Sequence, residues 1–185
     1  MKPRVVITGM GIVAPNAIGL DNFLEAIQQG RSGITFHQKL KDLKFSCCIG
    51  GIPSVSKELK SQYLTSLQLR GFDSAGILYG CIAGMDAWKD AGFKIDKNSP
   101  TDYHSGMVFG TGTSGIEKFR EAIYKLDDNK VKRLGSTVVV QTMASGISAY
   151  LGGILGLGNQ VTTNSSACIT CLLYTSPSPR DNKAS

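Results

Sequence analysis

Cys168 is the residue with the clearest chemical potential in this chain of 185 residues. It follows a short β-branched run, Gln160-Val161-Thr162-Thr163, and a patch of small residues, Asn164-Ser165-Ser166-Ala167. That order predicts a strand, a tight turn and then a cysteine at the start of a helix. A thiol in that position feels the positive end of the helix dipole and the unpaired first-turn N–H groups, both of which favour the nucleophilic thiolate. Small neighbours would let a substrate carbonyl reach the sulfur and the backbone N–H of Cys168, the geometry of an oxyanion hole. The competing expectation is a buried, inert thiol, since free cysteine is among the most buried residue types.

Two glycine clusters also invite chemistry. Gly9-Met10-Gly11-Ile12-Val13-Ala14 and Gly110-Thr111-Gly112-Thr113-Ser114-Gly115 both match the dinucleotide fingerprint, which lays a pyrophosphate on a glycine-lined helix N-terminus. Pro15-Asn16 interrupts the helix that the first match needs, and Arg31-Ser32-Gly33 stands where an acidic residue should close a second strand. After the second match, Asp127 and Asp128 fall at the end of a helix, misplaced for a ribose contact. A glycine/threonine turn lining an acyl or thioester pocket is the better use of the second loop. His37 and His104 read as surface or loop residues, and neither shares a metal-ligand spacing with Cys47, Cys48, Cys81, Cys168 or Cys171. No cofactor or metal is implied, and five cysteines without framework spacing fit reduced thiols in a cytoplasm.

The elements that must position these residues follow from periodicity. Arg4–Thr8 is predicted as a buried strand and Gly9–Asn16 as a turn. Asp21 is expected to cap a helix over Asn22–Gln29 with Phe23, Leu24 and Ile27 on its core face, ended by Gly30. Between Gly33 and Pro53 a single edge strand is predicted near Cys47–Ile52. Apolar residues at helical spacing from Phe72 to Ala91 predict a long helix stopped by Gly92, with Gly76, Gly80 and Gly84 allowing close packing. Ser105–Phe109 is predicted as a second buried strand, followed by the Gly110–Gly115 loop, a helix to Leu126 and another from Met143 to Leu157. Strands alternating with helices define an α/β layered fold. The apolar run at Val5-Val6-Ile7 is too short for a signal peptide, and no stretch reaches the ~20 apolar residues of a membrane span. A net charge of +6 spread over scattered basic residues argues against nucleic acid and leaves room for an acidic protein partner.

Taken in order, RVVITGMGIVAPNAIGLDNFLEAIQQGRSGITF, VFGTGTSGIEKF and VVVQTMASGISAYLGGILGLGNQVTTNSSACIT resemble the beta-ketoacyl-acyl-carrier-protein synthases of the synthase I/II group. The resemblance implies a thiolase-like layered α/β/α fold, of which residues 1–170 would form the N-terminal half-domain. It also implies that Cys168 takes an acyl group as a thioester from an acyl carrier protein. Malonyl-carrier protein then loses carbon dioxide and its carbanion attacks that thioester, in fatty acid elongation or, alternatively, in a polyketide-type or other condensing enzyme. Gly112, Thr113 and Met143 fall where such enzymes line the acyl pocket, with simple turn chemistry and core filling as the competing roles. Family members are homodimers whose partner is the acidic carrier. Their two catalytic histidines and catalytic lysine lie beyond the matched segments, so the chain alone is expected not to condense. Residues 171–185, with Pro177 and Pro179, depart from the family pattern and resemble a translated sequencing adapter; an exposed Ser/Pro-rich linker is the alternative.

Overall fold

The computed structural model describes residues 4–96 and 98–172, so the tail beyond Leu172 lies outside the described residues. The chain divides into two compact units, 4–71 with 78–96, and 72–77 with 98–172.

In the first unit, α1 spans Leu20–Gln28, α2 Gln38–Asp42, α3 Lys57–Tyr63 and α4 Ser66–Gly71. Two short strands, β1 (Ile34–Phe36) and β2 (Ile49–Gly51), pair antiparallel with Thr35 opposite Gly50. β2 is the predicted edge strand; its partner was hidden because Ile34-Thr35-Phe36 is too short to show alternation. A ring nitrogen of His37 lies 3.0 Å from the Gly50 carbonyl, so this histidine braces the hairpin. Helix α5 (Ala75–Asp90) forms as predicted, its first three residues grouping with the second unit. Leu78, Cys81, Ile82 and Met85 are buried at a spacing of three and four residues, one continuous stripe of the helix. Gly92 ends it at φ +85°, a conformation that costs a β-carbon-bearing residue ~1–2 kcal/mol.

The chain from Gly9 to Gly11 lies directly on α5. A β-carbon on Gly9 would overlap the Ala87 carbonyl, and one on Gly11 the Ala83 carbonyl. Close backbone packing against a helix therefore accounts for the first glycine cluster. Two expectations fail here. Residues 4–8 form no strand, with Val5 92% and Ile7 85% exposed. An apolar run becomes a strand only beside a partner, and no described strand pairs with this one. Helix α1 starts earlier than predicted, with Gly19 at its N-cap and Asp21 inside the first turn. Its buried residue is Ala26, while Leu24 and Ile27 are exposed.

In the second unit, β3 (Met107–Gly110) and β4 (Val161–Asn164) run parallel, with Met107 opposite Val161 and Gly110 opposite Asn164. Between them the chain forms α6 (Ile116–Asp127), α7 (Val138–Thr142) and α8 (Gly146–Leu155), and α8 packs on both strands. Among the described residues, Ile77, Ile147 and Leu151 are the buried large apolar residues of this unit. The strand expected to be buried is covered on one side only: Met107 and Phe109 are half-buried, whereas Val108 is 80% exposed. The helix predicted from Met143 to Leu157 forms but is shorter at both ends, because Met143 is extended (ψ 143°) and Gly156 adopts φ +67°. Buried Ser148 donates to the Ser145 carbonyl and shares a hydrogen bond with Thr163, fastening α8 to β4.

Candidate active site

The thiol expected to do chemistry sits immediately beyond β4. Asn164, the last strand residue, uses Oδ1 to accept the backbone N–H of Ser166 at 2.9 Å and also the Ser166 hydroxyl. This local loop turns the chain sharply. Ala167 then takes φ +50°, the left-handed region that favours glycine and costs alanine ~1–2 kcal/mol. Its N–H donates to the Thr111 carbonyl (3.1 Å), which holds the strained residue in place. Cys168 follows directly and is exposed. The expectation of a buried, inert thiol applies instead to Cys81, fully buried, where burial pushes the thiol up to about 12.

One part of the sequence reading is corrected. Cys168 begins no regular α-helix; Ala167–Leu172 is a short 3₁₀ stretch. Such a stretch has poorer hydrogen-bond geometry and a smaller summed dipole than a long α-helix, so the bend rather than a macrodipole distinguishes this thiol.

The second glycine loop lies against that bend. Thr111 N–H donates to the Asn164 carbonyl (2.8 Å), continuing the β3–β4 ladder by one bond. A side chain on Gly110 would overlap the Thr170 methyl group, so glycine there admits the 3₁₀ stretch. Gly112 faces Ala167: a β-carbon would stand 3.5 Å from the Ala167 β-carbon, ordinary contact distance. Thr113 is exposed on the same loop, and Met143 stands at the α7–α8 junction, 47% exposed. Of the predicted pocket residues, the structure thus brings Gly112 against the neighbour of Cys168, with Thr113 beside it and Met143 on a separate segment. The hydroxyls of Thr111, Ser114 and Thr170 are buried without a hydrogen-bond partner among the described residues. His104 contributes its backbone N–H to Asp102 Oδ1, and Asp102 is held below the usual carboxylate range by the Ser105 hydroxyl and then that N–H.

Sequence reasoning missed a polar cluster at the far end of the loop. Ser74 Oγ and Ala75 N–H both donate to Glu117 Oε1 at 2.9 Å, and Lys118 pairs with Asp73 at 2.8 Å. Burial works to raise Glu117, but its backbone hydrogen bonds and Ser74 outweigh it and hold the carboxyl below its usual range. The signal available was Gln141, a polar residue continuing the apolar run Val138-Val139-Val140.

Comparison with known proteins places this chain in a family. The class is defined by its fold, the thiolase-like α/β fold of the ketosynthases. A family model for the beta-ketoacyl synthase N-terminal domain matches residues 2–175, and the chain belongs to the beta-ketoacyl synthase family. It is 30% identical over 114 residues to 3-oxoacyl-[acyl-carrier-protein] synthase 2 of Vibrio cholerae, a match covering 62% of this chain and 26% of that protein. It is 32% identical over 111 residues to 3-oxoacyl-[acyl-carrier-protein] synthase 1 of Escherichia coli K12, covering 59% of this chain and 26% of that protein. The match therefore spans about a quarter of the length of these curated relatives. A beta-ketoacyl synthase from Burkholderia phymatum shares the fold with a TM-score of 0.71 at 24% identity, covering 90% of this chain and 40% of that one. A type II PKS acyl-carrier protein in complex with its ketosynthase bound to the hexaketide gives a TM-score of 0.67 at 19% identity, covering 90% of this chain and 39% of that one. Among the described residues no helix is long and apolar enough to cross a membrane, and no cluster of three or more His, Cys, Asp or Glu residues could hold a metal ion.

Proposed function

We propose that Cys168 accepts an acyl group from an acyl carrier protein, the first step of carbon–carbon condensation in fatty acid elongation. The observation that carries this reading is an exposed thiol set directly after a left-handed alanine at the end of a parallel strand. The Cys168 thiol gives its proton to solvent, the thiolate attacks the carrier's thioester carbonyl to form a tetrahedral oxyanion, and collapse expels the carrier's thiolate, which takes a proton from solvent. The backbone N–H of Cys168 is the donor assigned to that oxyanion, and Gly112 and Thr113 are assigned to the path of the acyl chain. In the complete enzyme, malonyl-carrier loses carbon dioxide and its carbanion attacks the acyl thioester, releasing the Cys168 thiol. His37 braces a hairpin and His104 belongs to the Asp102 turn, so neither histidine is assigned to the bond-forming step. The acyl-carrier-protein synthases among its relatives favour fatty acid over polyketide chemistry. A net charge of +6 suits an acidic carrier, and we place the enzyme in the cytoplasm as a homodimer, with Met143 near the paired subunits.

The test is intact-mass spectrometry of the chain incubated with acyl-loaded carrier protein. We expect a single thioester adduct, mapped to the Cys168 peptide and absent from Cys168→Ala. A folded chain that forms no adduct, or an adduct retained by Cys168→Ala, would overturn the assignment.

A further inference from the structure

Gln141 is 4% exposed, and a primary amide so buried must satisfy its hydrogen bonds or destabilise the fold. It satisfies them across the chain. Its Oε1 accepts the backbone N–H groups of Asp73 (3.1 Å) and Ser74 (3.0 Å), and its Nε2 donates to Thr137 Oγ1 (3.3 Å). Its own carbonyl oxygen stands where a β-carbon on Gly115 would fall, leaving no room there for a side chain. The exit of the Gly110–Gly115 loop is thereby seated on a residue that is itself fixed to the start of α5. The loop's entrance is fixed to the cysteine bend by the Thr111–Asn164 and Ala167–Thr111 backbone bonds. An apolar residue would fill the same volume, so packing alone gives no reason for an amide here.

We propose that Gln141 is a positioning residue for the acyl-accepting site, seating the Gly110–Gly115 loop so that Thr111 and Gly112 hold the bend that presents Cys168. The proposal rests on Cys168 as the acyl acceptor. It differs from a stability role because the amide's two acceptor bonds set where the loop lies, whereas a core role needs only volume.

Gln141→Met keeps the volume and removes the amide acceptor, and Gln141→Glu restores an acceptor oxygen. With acyl-carrier protein as donor, the rate constant for Cys168 acylation should fall about tenfold in Gln141→Met with the KM for carrier unchanged, and recover to within about threefold in Gln141→Glu. A second readout needs no carrier: peptide-resolved alkylation by iodoacetamide should change at Cys168 in Gln141→Met and recover in Gln141→Glu, while exposed Cys47 stays constant. Equal Cys168 kinetics in all three proteins, or Cys47 and Cys168 changing together without recovery, overturns the proposal. If the unsubstituted chain forms no adduct, the acyl-acceptor reading fails, and the alkylation pattern still decides whether Gln141 positions the bend.

Discussion

Gly115→Ala is expected to destabilise the second unit by at least ~3 kcal/mol, while Gly30→Ala in the first unit costs only ~1 kcal/mol. The two glycines have nearly the same backbone, φ +68° and φ +63°. Their surroundings separate them. A β-carbon at Gly30 meets nothing within 4 Å, whereas one at Gly115 falls on the Gln141 carbonyl and close to the Thr142 α-carbon. Alanine at Gly30 therefore carries only the left-handed penalty. At Gly115 it carries that penalty plus an overlap with backbone, which cannot rotate away as a side chain can. Relief requires α6 or α7 to shift, since Gly115 is the N-cap of α6 and its carbonyl accepts the N–H groups of Lys118 and Phe119. Such a shift loosens the Gly110–Gly115 loop, so acylation of Cys168 should slow in parallel. Urea unfolding followed by circular dichroism gives the comparison, and equal losses for the two variants would show that the close approach is not real.

Helices were legible in the sequence where one stripe of residues decides the outcome. Helix α5 and the end of α6 fall where periodicity put them, because Leu78, Cys81, Ile82 and Met85 repeat at a helical interval and Gly92 stops the helix. The strands were legible only in part. Val5-Val6-Ile7 has the composition of a strand, yet pairing belongs to the partner, and composition does not reveal one. Val108 shows the same limit: an apolar residue in an apolar run says nothing about whether both faces of the sheet are covered. At the site, small residues ahead of Cys168 correctly pointed to a tight bend, but its cause was non-local. Ala167 is held left-handed by Thr111, 56 residues earlier, and Gln141 reaches back to Asp73 and Ser74. Bonds of that span leave no mark in local spacing. The glycines did leave one, though its meaning was exchanged: Gly9 and Gly11 make room for α5, and Gly110 makes room for Thr170.

The first unit should lose stability steeply as pH rises above about 9, and Cys81 should carry most of that loss. Cys81 has no exposed surface, and burial raises its thiol from 9.0 to about 12. In the unfolded chain the thiol ionises near its ordinary value, while in the folded chain it stays protonated. Below about pH 9 both states bind the proton and the group is neutral in its effect on pH dependence. Between about 9 and 12 the unfolded state releases the proton and the folded state retains it, so each step upward in pH favours unfolding. The full difference is on the order of 4 kcal/mol, comparable to the whole stability of many small units. Tyr63 acts in the same direction, since burial and then its hydrogen bond to Asp86 push its hydroxyl from 10.0 up to about 12. Because Tyr63 is only partly buried, solvent weakens its share. Urea midpoints measured across this range should fall in the unsubstituted chain and fall much less in Cys81→Val, with Tyr63→Phe removing a smaller part. The same burial protects the thiol: iodoacetamide should label Cys47 and Cys168 at neutral pH while Cys81 reacts about a thousandfold more slowly, through opening of the fold. A midpoint that stays level to about pH 11, or a Cys81 labelled as fast as Cys47, would mean that the stripe of α5 is not packed as described.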